Sequence, residues 1–431
     1  MPVIADRSRR LASSPVVIVG GGAAGIHAAL ACRRHYPDKP VTLVDAEAEI
    51  GYYRPLIPQY MLGKIDAHRL FFWLHDQDPL LTLRLNVNVA SVDPSNRLLQ
   101  LEDGNRIAYE RLILTPGGRP FVPPVCTSRS CRLGVFSVRS LADAGAVRRW
   151  LPDHRHIAIL GGGLVGVKTA VQFALAGYPT ILVEREGHLL PNLLSHRAAL
   201  PIANHLRRLG VDVRTAATIE DIRGDRNGEL KEVRIGGEWT VGDTLLVAIG
   251  STPELGFLES SGLIEDGELV VAPTLQTADR YVFAAGDAVT IRTDDGATYR
   301  PWTWPQAIAQ GRLAGANIYR SAPLPLGNFS RVNAQNIAGL PLVVLGGRPE
   351  RFSAVSQFGD PPRWWREWYL EKDRIVGGAL VGDIAGAGPL HFRMTTGGVQ
   401  PNAIAKPDAK AFARDTWRHL GQKRTVRYFY I

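Results

Sequence analysis

Six glycines and two carboxylates supply the first recognisable chemistry of this chain. Gly20, Gly22 and Gly25 stand in VVIVGGGAAGIHA over residues 16–28, and Gly161, Gly163 and Gly166 repeat the spacing in HIAILGGGLVGV. In a Gly-x-Gly-x-x-Gly turn that joins a strand to a helix, the first glycine permits a sharp turn. The second removes a Cβ from the path of a pyrophosphate, and the third lets the helix lie close on the strand. The free N–H groups of the new helix, Ala23-Ala24 in one copy and Leu164-Val165 in the other, then face the anion at the positive end of the helix dipole. Asp45 and Glu184 each end the following β-branched run, where a carboxylate accepts hydrogen bonds from a ribose diol. A Gly-rich turn explains one such copy. Two complete units of strand, turn, helix, strand and acid, in order, predict two bound dinucleotides.

The elements that must position these residues are legible around them. Residues 81–92 and 98–101 read as strands with a turn at 93–96, and Asp103-Gly104 closes a hairpin. Residues 111–114 form a further buried strand that ends in Thr115, Pro116, Gly117 and Gly118, giving another close backbone approach to a nucleotide. IGYYRPL at 50–56 reads as a loop, in which Arg54 either reaches a phosphate or flavin edge or is a surface arginine. From Asn328 the pattern changes: strands are expected at 340–345, 368–370 and 374–381, with Trp364, Trp365, Trp368 and Tyr369 as an aromatic cluster of a core or an interface.

Composition narrows the class. A length of 431 residues suggests two or three domains, and 45% hydrophobic with 21% charged residues is ordinary for a globular chain. No apolar run approaches the roughly 20 residues that span a bilayer. Residues 1–14 are basic without an apolar segment or cleavage site, so a cytoplasmic home is expected. The formal charge is +9, and residues 401–431 alone hold seven Lys or Arg against two Asp. That basic end is either a solvated surface or a docking site for an acidic redox protein or anionic lipid. No motif supports nucleic-acid binding. Of the three cysteines, Cys32 falls in the first helix as a small hydrophobe. Cys126 and Cys131 lie in a Pro- and Ser-rich loop as two plain thiols, a local disulfide or a redox switch.

Taken together these motifs resemble the FAD-dependent pyridine nucleotide-disulfide oxidoreductase superfamily, in the branch of rubredoxin reductases, ferredoxin reductases and the flavin module of nitrite reductase. LILTPGG at 112–118, LVAIGSTP at 246–253, VFAAGD at 282–287 and PQAIAQGRLAGAN at 305–317 are similar to further family motifs in the family order. The resemblance implies that Gly20, Gly22, Ala23, Ala24, Gly25, Asp45, Ala46, Arg54, Val89, Thr115, Pro116 and Gly117 contact FAD, with Gly286 and Asp287 at its ribityl chain. A helix starting near Pro305 would point its dipole at the flavin, and Trp302 and Trp304 before it either cover the ring or pack in the core. Gly161, Gly163, Leu164, Val165, Gly166, Glu184, Arg185, Ile249 and Gly250 map onto NAD(P)H binding. Glu184 repels a 2′-phosphate and favours NADH over NADPH, and Arg185 beside it softens that preference.

The implied fold is α/β, with two Rossmann-like three-layer domains and an α+β C-terminal interface domain that often supports dimers. The FAD domain would cover 1–120 and 246–325, the NAD(P)H domain 121–245, and the interface domain 326–431. Two departures from the family stand out. No cysteine follows the first acid, where thiol-using relatives carry one, so disulfide chemistry has no nucleophile beside the flavin. Lys168 occupies a position where the family usually has Glu, and Lys168 with Arg54 are the candidate catalytic residues. The expected activity passes electrons from NADH through flavin to an acceptor, a small acidic electron-transfer protein in preference to a small molecule. A peripheral quinone reductase and a flavin- and NADH-sensing binding protein resembling apoptosis-inducing factor are the alternatives.

Overall fold

Val16–Val19 is buried along its whole length, which a strand achieves only when both faces of its sheet are covered. In the computed structural model, which describes residues 15–73, 78–127, 131–300, 302–327, 332–346, 353–358, 364–371 and 374–396, this strand is the centre of a five-stranded parallel sheet. The order is Val282–Ala284, Arg111–Leu114, Val16–Val19, Val41–Val44 and Leu81–Arg84. The strand order reverses on either side of Val16–Val19. In an open parallel sheet, the crevice outside the carboxyl ends of the strands at such a point is where ligands bind.

The chain divides into two compact units. One comprises Met1–Val122, Ser137–Trp150 and Gly250–Gly327; the other comprises Pro123–Phe136, Leu151–Ile249 and Asn328–Ile431. Ser137–Trp150 departs from the boundary drawn from sequence because its helix Leu141–Trp150 packs against first-unit residues. The Leu141 N–H donates to the Tyr52 hydroxyl at 3.2 Å, and the Arg148 guanidinium lies 5.1 Å from the centre of the Tyr60 ring.

Within the first unit, the helix Ala23–His35 rests on a second helix, Trp304–Asn317, at unusually short range. A Cβ on Gly311 would stand 2.0 Å from the Ala24 carbonyl oxygen, and one on Gly315 would stand 2.4 Å from that of Ala28. Gly311 and Gly315, one helical turn apart, therefore face Ala24 and Ala28 with backbone against backbone. The run expected over 81–92 as one strand is two: Leu81–Arg84 joins the parallel sheet, and Val89–Asp93 begins an antiparallel meander. Asn86 between them has φ 55°, a left-handed conformation that asparagine tolerates and a strand interior does not. The loop expected at 50–56 closes into a single tight turn, Arg54–Leu56, followed by the short helix Ile57–Met61.

The second unit repeats the design. Val211–Arg214, Thr180–Val183, Ile157–Leu160 and Thr244–Val247 run parallel, and Val135–Ser137 completes that sheet. Its C-terminal part is an antiparallel sheet ordered Val332–Ile337, Leu340–Gly346, Arg374–Val381, Trp365–Glu371 and Ser353–Phe358, with the helix Ala387–Thr396 packed against it. Trp365, Trp368 and Tyr369 are buried there, so these three members of the aromatic cluster are core, whereas Trp364 is only half-buried. The Ser195 hydroxyl, which caps the helix His196–Arg208, donates to the buried Glu367 carboxylate at 2.5 Å, and Trp365 Nε1 donates to the same oxygen at 3.1 Å. The basic end at 401–431 lies outside the described residues.

Two glycine-to-alanine changes should part in sign. Gly311→Ala drives a Cβ into backbone and should lower stability by about 2–4 kcal/mol. Gly145→Ala meets only the end of the flexible Arg149 side chain, at 3.4 Å, and should gain about 0.5–1 kcal/mol from helix propensity. Thermal or urea unfolding of the two proteins checks both.

Candidate functional site

The two glycine turns are built alike to within tenths of an ångström. Gly20 (φ +99°) and Gly161 (φ +112°) make the left-handed turn, and a Cβ on either would strike a backbone carbonyl, that of Thr115 at 2.1 Å or of Ala248 at 2.5 Å. Gly25 and Gly166 bring the helix onto the turn: a Cβ there would lie 1.7 and 1.8 Å from the Gly20 and Gly161 oxygens. Gly22 and Gly163 differ from both. Around their added Cβ nothing comes within 4 Å, so each is a slot that the fold leaves clear. The third glycine serves the fold, and the second keeps space open at a helix N-terminus.

The acids close these turns from beside. Asp45 accepts from the Gly21 N–H through one oxygen and from the Glu47 N–H at 2.6 Å through the other. Glu184 accepts from Gly162 N–H at 2.6 Å and from Glu186 N–H at 2.8 Å. Every carboxylate oxygen retains a second lone-pair direction, which is what a ribose hydroxyl needs. Burial pushes the Asp45 carboxyl up from the usual carboxylate range, against the two N–H donors.

In the first unit the turn opens into a cavity at the carboxyl ends of the parallel strands. Gly20, Gly22, Ala23, Ala24, Asp45, Ala46, Arg54, Val89, Thr115, Pro116, Gly117, Gly286, Asp287 and Trp304 all line it. Gly25 does not; it sits behind, against Gly20. Asp287 follows Gly286, whose φ of +87° turns the chain and whose N–H donates to Gln310 Oε1 at 2.8 Å. Burial raises the Asp287 carboxyl, while Arg139 and Arg54 pull it back. Thr303, Trp304 and Ala307, the start of the helix Trp304–Asn317, complete this wall. Trp302, half exposed, lines the cavity as well, and Trp304 also packs on Tyr53 and Phe72 at ring separations of 5.8 and 5.6 Å.

Arg54 does not extend alone toward a ligand. Its guanidinium pairs with Glu47 Oε1 at 2.6 Å and donates to the Arg139 carbonyl at 3.0 Å, and it lies over the Tyr52 ring. The Tyr52 hydroxyl donates to the other oxygen of Glu47. Burial works against the charge of Arg54, but Tyr52, Glu47 and Asp45 outweigh it, and its pKa is raised. Arg139 is pushed the other way, by burial first and by Arg54 second. Glu47 and Arg139 are cavity residues that sequence reasoning missed. Glu47 had a signal, since acid-x-Glu recurs as Glu184-Arg185-Glu186. Arg139 had none, because it stands after a short strand outside every motif.

The second unit holds Gly161, Gly163, Leu164, Val165, Gly166 and Glu184 around its own turn, with Ile249 beyond Ala248; Gly250, φ +104°, falls at the start of the next segment of the first unit. Arg185 is exposed and bound to Glu186. Lys168 lies half-buried on the helix Leu164–Ala174 without an ion pair among the described residues, and burial lowers its pKa. All three cysteines are free and buried. Burial pushes the Cys32 thiol up to about 12 and the Cys126 thiol up to about 11, and raises Cys131. None lines the cavity of the first unit.

Two phosphate cradles on parallel sheets, each closed by a carboxylate, define a protein built for two dinucleotides. The family model for pyridine nucleotide-disulphide oxidoreductases matches residues 14–311, and the chain belongs to that family. Rubredoxin-NAD(+) reductase of Pseudomonas putida is 27% identical over 336 residues, covering 75% of this chain and 86% of the relative. Putidaredoxin reductase of the same organism is 25% identical over 375 residues, covering 85% and 88%. Among solved structures, the covalent putidaredoxin reductase–putidaredoxin complex superposes with a TM-score of 0.85 at 22% identity, covering 94% of this chain and 99% of that one. The chain is thus an FAD- and NADH-dependent oxidoreductase on the ferredoxin-reductase branch of its family. Among the described residues, no helix is long and apolar enough to cross a membrane.

The cavity fits a flavin dinucleotide on its own evidence. The Gly22 slot at a helix N-terminus suits a pyrophosphate, and the Asp45 and Asp287 carboxylates suit hydroxyl donors. Gly22→Val should therefore fold, with a melting temperature near that of flavin-free unaltered protein, yet purify without yellow colour. Gly25→Val should not fold at all. Absorbance near the flavin bands together with thermal melts separates the two. At pH 8, disulfide-exchange reagents should titrate Cys126 about a hundredfold and Cys32 about a thousandfold more slowly in the native protein than in the denatured chain, since burial leaves so little thiolate.

Proposed function

We propose that the chain takes reducing equivalents from NADH, bound at the second glycine turn, and delivers them to a small iron–sulfur or rubredoxin-type protein from FAD bound in the cavity of the first unit. The observation that carries this reading is a pair of matched cradles with no thiol at the flavin cavity. FAD, when bound, accepts a hydride and releases its electrons singly, which suits one-electron acceptors. The named relatives reduce rubredoxin and putidaredoxin, and one superposed structure is a covalent complex with putidaredoxin. The chain's formal charge of +9 favours an acidic acceptor.

The same reading assigns roles to individual residues. Gly20, Gly22, Ala23 and Ala24 present backbone N–H groups to the FAD pyrophosphate, with Asp45 and Ala46 at its adenosine ribose. Thr115, Pro116, Gly117 and Val89 line the path between, and Gly286 and Asp287 hold the ribityl chain. Arg54 and Arg139 supply positive charge, which Glu47 and Tyr52 hold in place. Trp304 bounds the cavity where the helix dipole offsets negative charge on the reduced ring. Gly161, Gly163, Leu164, Val165, Gly166 and Glu184 hold NADH, with Ile249 and Gly250 following the strand Thr244–Val247 as further contacts. Lys168 steers charge at the nicotinamide end. The domain division that supports these roles is FAD binding by the first unit, which adds 137–150 to the 1–120 and 246–325 drawn from sequence, NADH binding by the rest of 121–245 and an interface role for the C-terminal sheet. The protein works in the cytoplasm, as a homodimer through that sheet.

Anaerobic stopped-flow mixing tests the proposal. NADH should bleach the flavin at least tenfold more efficiently than NADPH, and Glu184→Ala should narrow that ratio severalfold. Rubredoxin or a [2Fe–2S] ferredoxin should then reoxidise the flavin faster than a soluble quinone or oxygen. Faster reoxidation by the quinone would sink the protein-acceptor reading. Asp287→Ala should yield largely colourless protein.

A further inference from the structure

The second acid carries a neighbourhood that a ribose alone does not require. Glu184 occupies both of its oxygens with backbone N–H groups, and the second donor is the N–H of Glu186, which brings residue 186 alongside the carboxylate. Between the two stands Arg185, exposed, with its guanidinium turned onto its neighbour: Nε and Nη2 reach Glu186 Oε1 at 3.2 and 3.0 Å. The strand beyond offers a second guanidinium, on Arg214, whose carbonyl accepts the Glu184 N–H at 2.9 Å. That group is likewise occupied, by Asp212 at 2.9 Å. Each arginine beside this peptide is thus held by an acid of its own.

An arginine fork directly after the second strand is what a 2′-phosphate would engage, because the guanidinium binds phosphate bidentately. Here the fork is present but committed. We propose that Glu186 is a specificity-determining residue: by holding the Arg185 guanidinium it withholds that group from the 2′-phosphate of NADPH, so rejection of NADPH is shared between Glu184 and Glu186. The first unit shows that the position is not bound to this use. Glu47, two residues after Asp45, makes the same backbone contact at 2.6 Å but spends its carboxylate on Arg54.

This inference rests on NADH binding at the second glycine turn. An exposed pair is weak, so releasing it is worth roughly two- to fivefold. The experiment measures kcat/KM for flavin reduction by NADPH and by NADH in the holoenzyme and in Glu186→Gln, Arg185→Ala and the double variant, with flavin absorbance as the check of intact protein. Glu186→Gln should raise the NADPH to NADH ratio by that factor. Arg185→Ala should not raise it, and the double variant should match Arg185→Ala. A Glu186→Gln gain that persists without Arg185, or no gain at all, overturns the proposal. If the unaltered protein is reduced by neither nucleotide, it is the NADH reading itself that fails.

Discussion

The contact on which the molecule depends is the seating of a helix on the end of a strand at Gly25 and again at Gly166. At less than 2 Å from a carbonyl oxygen, the position of a missing Cβ leaves no alternative residue. Only this seating brings the N-terminus of the helix Ala23–His35 to the carboxyl edge of the parallel sheet. The open slot at Gly22, the Asp45 carboxylate alongside and the strand-end turns at Thr115 and Gly286 are all aligned from it. The same relation organises the second unit from Gly166, so one packing solution is used twice.

The electrostatics of the first cavity follow from that placement. A sheet edge with buried walls desolvates what faces it, and burial raises both Asp45 and Asp287. The protein offsets this with Arg54 and Arg139, and balances Arg54 with the Glu47 carboxylate, to whose other oxygen the Tyr52 hydroxyl donates. None of the three cysteines lines this cavity.

Much of this was legible in the sequence because backbone constraints leave specific residues behind. Two glycine turns, two acids, Thr115-Pro116-Gly117 and Gly286-Asp287 each require a residue type at a fixed spacing, and those are the residues that line the first cavity or build the two turns. What was not legible depends on contacts between distant segments. Arg139 reaches the cavity because the helix Leu141–Trp150 packs beside Tyr52 and Tyr60, a relation with no local pattern. The split of 81–92 turned on one left-handed asparagine inside an otherwise strand-like run. In the C-terminal sheet, the strands Val332–Ile337 and Ser353–Phe358 gave no sequence signal that reasoning detected, whereas its inner strand Arg374–Val381 did.

The contact of Gly311 and Gly315 with Ala24 and Ala28 has a consequence for how such a protein can change. On the proposed placement of FAD, one helix begins at the phosphate slot and its partner at the ring end of the same cavity, so their interlocked backbones would act as a ruler for the length of the cofactor. Descendants that need a different redox potential or a different acceptor must work with side chains around the rim. Any lengthening or sliding of either helix would put the two ends of the flavin out of register with their anchors.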